Sequence, residues 1–485
     1  MLKKRVMSRV LPLMVIIGLL ISLIPANALA RNISIVFDGR TVPSDVQPVI
    51  QRETTMVPMR LIFEVLGADV DWDGSTQTIT AKKAANTIRL TLGSRTATIN
   101  GRTVSLTEPA NLINNRTMVP IRFVSEALGA RVEWVAAAST VRVASTDASR
   151  LRSPVSSELR LTTGGATFPF PLYSRLFAEY RKITSPAVTI DYTGVGSGAG
   201  IRGLTGRTFE FAGSDAVMTA QQLSDAGGEV LHIPTVMGAV AIVYNIPDVN
   251  TRLKLTSEAL ADIYLGEITR WNDPQISAAN PGVNLPNLRI TVVRRSDSSG
   301  TTAIFTDYLS SVNNKWKDTV GMGTSVKWPG ATVGAPGNPG VAAQVSQISG
   351  AIGYVELSTA ILNRLSFAEL RNRSGRFAAP SESSTTAAAA GFGGNVPKDL
   401  RMSLVNSPGT NAYPIVGLTW LLVRRDQANE NNAKVTVDFL RWAVLERNLE
   451  AFTANLYYAP LPQNMLDLVR EQLKSINVNG NPVWK

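Results

Sequence analysis

Downstream of residue 157 the sequence predicts an α/β architecture, because strand-like and helix-like segments alternate there. Residues 288–293 form an apolar strand run, followed by a Ser-Gly-Thr turn and a helical pattern with apolar Ile304, Phe305, Tyr308 and Leu309. Residues 164–169 likewise follow a short apolar stretch and open a helical run carrying Tyr173, Phe177 and Tyr180 at i, i+4, i+7 spacing. Ahead of this region, residues 32–145 repeat themselves with a shift of 62, so a separate small α+β module is expected. A chain of 485 residues is too long for one typical core, and two or three domains are expected.

The first element, 1–30, reads as a signal peptide. Lys3, Lys4, Arg5 and Arg9 make a basic start, an apolar run follows, and Ala26-Asn27-Ala28-Leu29-Ala30 offers small-residue cleavage sites. The apolar run is short for a membrane span and carries Pro12 and Pro25 at its ends, which favours a removable leader over an anchor. No other run approaches twenty apolar residues, so the mature protein is expected to be exported and soluble.

In the repeat, assigned to 31–145, Asp38-Gly39-Arg40-Thr41-Val42 recurs as Asn100-Gly101-Arg102-Thr103-Val104. Thr55-Met56-Val57-Pro58-Met59-Arg60 recurs as Thr117-Met118-Val119-Pro120-Ile121-Arg122, and Trp72 as Trp134. Each copy reads as a hairpin around Asp/Asn-Gly, then a short amphipathic helix ending at glycine. Asp69-Val70-Asp71-Trp72-Asp73-Gly74 imitates half of a calcium loop, but position twelve is Thr80 rather than glutamate, so a hairpin turn is the better account. The module resembles the domain named after the N-terminal region of copper amine oxidases, also described as a stalk domain of surface proteins. The resemblance implies a spacer or surface-association role, with a cell-wall or surface polymer as possible partner. Residues 146–157, rich in Ser, Arg and Asp, read as a linker.

Beyond the linker, four segments carry chemistry. Gly164-Gly165-Ala166-Thr167-Phe168-Pro169 places Thr167 as an N-cap, with Pro169 in a first turn that needs no N–H partner. Gly194-Val195-Gly196-Ser197-Gly198-Ala199-Gly200 precedes a helix-like segment with Ile201 and Leu204, and its spacing does not fit a dinucleotide loop. Phe211-Ala212-Gly213-Ser214-Asp215 ends a short strand with a carboxylate. Arg294-Arg295-Ser296-Asp297-Ser298-Ser299-Gly300-Thr301-Thr302 combines a guanidinium fork, hydroxyl donors and a helix start. Helix starts leave N–H groups unpaired and bind anions, and arginine suits phosphate or carboxylate. A solvated salt bridge with an ordinary N-cap is the plainer reading of that last segment taken alone.

Together and in this order, the four segments resemble the phosphate-binding proteins of bacterial phosphate ABC transporters. The resemblance runs from about Leu159 to the C-terminus and includes Lys327-Trp328-Pro329, Gly350-Ala351-Ile352-Gly353-Tyr354-Val355-Glu356 and Tyr413-Pro414-Ile415. It implies a two-lobed periplasmic-binding-protein type II fold over 158–485, with lobe one about 158–237 and 412–485 and lobe two about 238–411. It implies phosphate contacts from Thr167, Phe168 (through its N–H), Ser197, Asp215, Arg295, Ser299, Gly300 and Thr301, with Asp297 steadying the Arg295 guanidinium. Segment 373–397, rich in Ser, Ala and Gly, reads as a surface loop in lobe two.

Composition narrows the function. The formal charge of +11 falls to about +7 once the four leader cations are removed. Outside the membrane this balance suits anionic wall polymers, lipid surfaces or anionic ligands more simply than nucleic acid, while its dispersed distribution is equally the mark of solubility alone. Zero cysteines exclude disulfides, thiolate metal sites and a lipid-modified cysteine. The single histidine, His232, sits among apolar neighbours and reads as a core residue, so multi-histidine metal sites are impossible. No cofactor, metal or catalytic residue is expected. The leading expectation is an exported protein, at the extracellular face of the membrane or wall (periplasmic if an outer membrane exists), that presents phosphate to a membrane permease. The alternative is a phosphate-sensing or adhesive surface protein. A phosphoryl-transfer enzyme lacks a recognisable metal cluster or activated nucleophile.

Overall fold

Two separate hydrophobic cores organise the chain, one built from the N-terminal repeat and one from everything after residue 154. The computed structural model describes residues 33–484 apart from 38–39, 43, 45, 67, 84–85, 114–115, 136–138 and 146–150. The leader 1–30, the turn glycine Gly39, the helix-end Gly67 and the first part of the 146–157 linker lie outside the described residues.

The repeat folds as an exchange between its copies. The first hairpin (Ser34–Phe37, Arg40–Val42) joins the last two strands of the second copy, Ala130–Val135 and Thr140–Ser145. Conversely, Thr96–Ile99 and Arg102–Ser105 of the second copy extend the sheet of Asp69–Asp73 and Thr78–Lys83 through Asn86–Thr91. Thr54–Pro58 and its equivalent Arg116–Pro120 pair antiparallel at the centre. The two short helices, Met59–Leu66 and Ile121–Ala127, bury Ile62, Phe63, Ile121 and Val124, and Gly129 takes the left-handed conformation just past the second. Neither copy closes a core alone, because each supplies strands to the other's sheet. In the calcium-like segment, Asp73 accepts hydrogen bonds from Ser75 and Thr76, which makes it the corner of a hairpin.

The remainder is built on a nine-stranded sheet. Its strands are β1 (Leu159–Gly165), β2 (Val188–Gly194), β3 (Phe211–Ser214), β4 (Val230–Tyr244), β5 (Thr291–Arg295), β6 (Val333–Ala335), β7 (Ala351–Glu356), β8 (Ser366–Phe367) and β9 (Val416–Arg424). They lie in the order β2-β1-β3-β9-β4-β7-β5-β6, with β8 also on β4. Strand β4, all fifteen residues buried, runs through both halves of the sheet. Its first part pairs with β9 and its last part with β7, with an irregularity between Pro234 and Val236. Strands β1, β2 and β3 run parallel in one half, and β5, β6 and β7 in the other. In open α/β sheets, ligands bind beyond the carboxyl ends of parallel strands, and here two such ends face one another.

Helices α1 (Phe170–Ile183), α2 (Ser197–Thr205), α3 (Gly300–Val312) and α4 (Gly337–Gln347) each follow one of these strand ends. Helix α1 buries Tyr173, Phe177 and Tyr180 against Tyr192, Phe439 and Trp442. Helix α3 buries Ile304, Phe305, Tyr308 and Leu309, with Phe305 stacked on Tyr354. His232 is a core residue: its Nε2 accepts the Met218 N–H, and burial holds its pKa down to about 4. No helix among the described residues is long and apolar enough to cross a membrane.

Three expectations are corrected. Segment 373–397 is not simply a loop, because Glu382–Ala390 forms a helix that buries Ser384, Thr385 and Ala388. Its alanines are strong helix formers, and Ser381 and Ser384 cap it reciprocally. The strand expected over 288–293 is Thr291–Arg295, displaced toward its arginines. The end of the linker is tied down, since Leu151–Arg152 pairs in parallel with Thr184–Ser185.

Candidate anion-binding site

The site forms where four strand-to-helix turns converge. From one side, β1 delivers Thr167 and Phe168, β2 delivers Ser197 at the first turn of α2, and β3 delivers Asp215. From the other, β5 delivers Arg295, and the turn into α3 delivers Asp297, Ser299, Gly300 and Thr301. Thr167, Phe168, Ser197, Asp215, Arg295, Ser299, Gly300 and Thr301 are all buried; Ser197 Oγ accepts from the N–H groups of Asp215 and Gly300, and Arg295 reaches Thr301.

Arg295 is its fixed cation. The guanidinium grips Asp297 with two bonds, Nε to Oδ1 at 2.8 Å and Nη2 to Oδ2, while Nη1 reaches Asn338 Oδ1 at 3.1 Å and Thr301 Oγ1 at 3.4 Å. Asp297 Oδ1 also accepts the Gly337 N–H at 3.0 Å, so the carboxylate joins the starts of α3 and α4. Burial pulls the Asp297 pKa upward, but the hydrogen bonds and charge of Arg295 outweigh it and leave it below the usual value.

Three hydrogen bonds close the cleft directly. Gly300 N–H donates to Ser197 Oγ at 3.1 Å, Gly198 N–H to Ser298 O at 3.0 Å, and Asn338 N–H to Thr167 Oγ1 at 3.2 Å. Such proximity needs glycine. A Cβ on Gly300 would stand 2.6 Å from Asp215 Cβ, and Gly196 combines φ +87° with a carbonyl, Ser298 O, 2.9 Å from where its Cβ would lie.

Asp215 is the second charged group. Its Oδ1 accepts from Thr419 Oγ1 at 2.7 Å and its N–H donates to Ser197 Oγ at 3.1 Å. Burial lifts its pKa to about 7, against the pull of Thr419, Arg295 and Ser197. A carboxyl so placed can accept a proton-bearing ligand when ionised and donate when protonated.

The donor inventory follows. Ser299 Oγ accepts the Thr302 N–H as N-cap of α3 and keeps its proton to donate. Thr167 is not the N-cap expected for α1, a position held by Pro169 without a side-chain bond. Its hydroxyl faces the opposite lobe instead, because the chain continues two residues further before turning helical. The Phe168 N–H has no partner among the described residues, while its carbonyl accepts Tyr458 OH at 2.7 Å. A cavity of about 290 Å³ lies at the interlobe seam, bordered by Thr167, Phe170, Asp297 and Gly337. It is a vestibule, since Ser197, Asp215 and Arg295 do not line it.

Sequence reasoning missed Asn338, Thr419 and Tyr458. Asn338 is fully buried, holds Arg295, touches Thr167, and leaves its Nδ2 without a hydrogen bond. A Gly-Asn-Pro-Gly turn opening a helix was the available signal. Thr419 lies in an otherwise apolar strand, where a β-branched residue attracts no notice. Among the described residues, no group of three or more His, Cys, Asp or Glu could hold a metal ion.

Residues 36–143 match the model of the copper amine oxidase N-terminal domain, and residues 138–447 that of the PBP superfamily domain. The chain is 40% identical over 309 residues to the phosphate-binding protein PstS of Xylella fastidiosa (strain 9a5c), spanning 64% of this chain and 83% of that protein. It is 39% identical to the PstS protein of Pasteurella multocida, over 67% of this chain and 93% of the relative. Among solved structures, a high-affinity periplasmic phosphate-binding protein bound with phosphate is 26% identical, with TM-score 0.52, over 64% of this chain and 93% of the other. A DING protein at 22% identity and TM-score 0.53, covering 66% of this chain and 99% of its own, shares the fold.

Proposed function

This chain belongs to the PBP superfamily, among the PstS phosphate-binding proteins, and we propose that it captures inorganic phosphate between its lobes and delivers it to the permease of an ABC transporter. The observation that carries this reading is the pairing of Arg295, a buried fixed cation, with Asp215, a buried carboxyl, in one donor-rich cleft. An anion that retains a proton satisfies both. The ligand set is Thr167, the Phe168 N–H, Ser197, Asp215, Arg295, Ser299, Gly300 and Thr301, with Asp297 orienting the guanidinium. Gly300 N–H already bonds Ser197 Oγ, so an anion there shares that hydrogen rather than claiming it.

The relatives are binding proteins rather than enzymes by name, and capture followed by release requires no covalent step. Closure requires an ion that touches both lobes at once, so that binding favours the closed form. The protein is assigned to the outer face of the membrane or to the wall. There the module 31–145 serves as spacer and surface-polymer contact, and residues 158–485 form the receptor. Calorimetry of the ligand-free protein against phosphate, sulfate, arsenate and a phosphate ester tests the reading. Tight phosphate binding with weak sulfate and ester binding is expected, and preference for the ester or sulfate overturns it.

A further inference from the structure

The N-terminal module exposes large apolar side chains at matched positions of its two copies. Ile50 is 54% exposed and its equivalent Leu112 63%, while Trp72 is 43% exposed and its equivalent Trp134 38%. Both tryptophans lie on hairpin strands of the module, Trp72 paired with Ile79 and Trp134 with Val141. An apolar side chain at a surface needs no explanation singly, but two aromatic-plus-aliphatic pairs repeated by one duplication are a property of the unit.

One of these surfaces is a groove. Ile50 from the first copy and Trp134 from the second line a cavity of about 740 Å³ together with Arg52, Glu53, Arg122 and Phe123. That volume is within the range of small-molecule pockets, ~300–1,000 Å³. Its edge is a turn in which Arg52 (φ 42°) and Glu53 (φ 66°) both hold the left-handed conformation, which favours glycine or asparagine. The second copy has Asn114 and Asn115 at these positions. The chain thus keeps two charged side chains at the groove despite the strain. Arg52 is further steadied by Glu108, a buried carboxylate 3.6 Å away, where the other copy has Val46.

We infer that this groove binds a neutral glycan bearing N-acetylated sugars. An exposed indole offers a flat apolar face to the C–H face of a sugar ring, and Ile50 and Phe123 offer apolar contact for acetyl methyl groups. Arginine and glutamate side chains supply donors and acceptors for hydroxyl and amide groups. Charge decides against a polyanion: Arg52 and Arg122 are matched by Glu53 and Glu126 in the same lining. The inference deepens the surface-polymer contact proposed for the module and is independent of the phosphate site.

The test is calorimetry of the full chain with chitohexaose, with phosphate titrated in parallel. Wild type is expected to bind the oligosaccharide, and Trp134→Ala to weaken that binding about tenfold or more, the scale of a lost aromatic contact. Ile50→Ser is expected to weaken it by a smaller factor, with phosphate affinity and melting temperature unchanged in both variants. Absence of chitohexaose binding by folded wild type overturns the inference, as does wild-type binding by both variants. Displacement of chitohexaose by polyglutamate overturns the choice of a neutral chain. Retention of the protein on isolated walls without oligosaccharide binding would sink the glycan assignment while leaving the surface role and the phosphate reading standing.

Discussion

Gly300 and Ser197, 103 residues apart in sequence, meet across the cleft, the Gly300 N–H donating to Ser197 Oγ at 3.1 Å. The same oxygen accepts the Asp215 N–H, so one hydroxyl ties two strand ends of one lobe to the start of α3 in the other. Gly300→Ala would place a methyl group against Ser197 Oγ and 2.6 Å from Asp215 Cβ, so the closed approach of the two segments must give way. The variant is expected to fold but to remain open. Small-angle scattering should show wild type contracting on phosphate addition and Gly300→Ala failing to contract, with affinity reduced in step. Equal contraction of the two proteins would remove this contact from the closure mechanism.

Arg295→Lys keeps the charge but loses the fork shared among Asp297, Thr301 and Asn338. Phosphate binding is expected to weaken by about 1–3 kcal/mol, the scale of a lost charge-assisted hydrogen bond. Asp297→Asn is expected to cost less affinity, since it acts through the orientation of Arg295 and the Gly337 N–H. Calorimetry decides, and phosphate binding at wild-type strength by Arg295→Lys would strike that residue from the ligand set.

The legibility of this site followed the locality of its parts. Arg295, Asp297, Ser299, Gly300 and Thr301 lie within seven consecutive positions, where strand, turn and helix start are all local signals. Thr167, Ser197 and Asp215 stood at the ends of readable strands. Thr419 and Tyr458 could not be read so, because long-range pairing places them: β9 beside β3 brings Thr419 to Asp215, and the chain's return brings Tyr458 to the Phe168 carbonyl. The exchange of strands between repeat copies was hidden for the same reason, since a 62-residue period is equally compatible with two closed units. The helix Glu382–Ala390 was obscured differently. Its composition resembles a linker, and only the position of Ser381 as a cap separates the two.

The receptor should work without the module. The N-terminal repeat has its own core, separate from that of the receptor, which it approaches where the Arg142 guanidinium lies 5.9 Å from the Phe452 ring. A protein truncated to residues 151–485 is expected to fold and to bind phosphate within about twofold of the full chain, since distant sites act additively. Binding more than tenfold weaker in a folded truncation would show that the module contributes to the site.

Tyr458 is expected to matter through Phe168. Its hydroxyl donates to the Phe168 carbonyl at 2.7 Å, fixing the loop whose N–H is a proposed ligand. Tyr458→Phe should lower stability by about 0.5–1.5 kcal/mol, the net value of a typical hydrogen bond, and weaken phosphate binding severalfold. Thermal melts and titration read the two effects separately. A variant that melts earlier yet binds phosphate as wild type would confine Tyr458 to the fold.

Asp215 carries the strongest pH prediction. Burial lifts its carboxyl from 3.8 to about 7, so between those values the folded, ligand-free chain holds a proton that the unfolded chain has released. Stability therefore falls as pH rises through that window and levels off above it. Glu356, raised to about 8 by burial, pushes in the same direction, and Asp215→Asn should accordingly flatten only part of the slope in melting temperature. Selectivity follows from the same proton. Above about pH 7 the ionised carboxylate can only accept, which suits phosphate and repels sulfate, an ion with no proton to offer. Below it, a protonated Asp215 donates, and that repulsion disappears. Wild-type sulfate affinity is thus expected to drop steeply from about pH 5.5 to about 8.5, while Asp215→Asn binds sulfate with little pH dependence. Sulfate affinity that stays flat with pH in wild type, or rejection of sulfate by folded Asp215→Asn as strong as wild type's, would show that selectivity arises elsewhere.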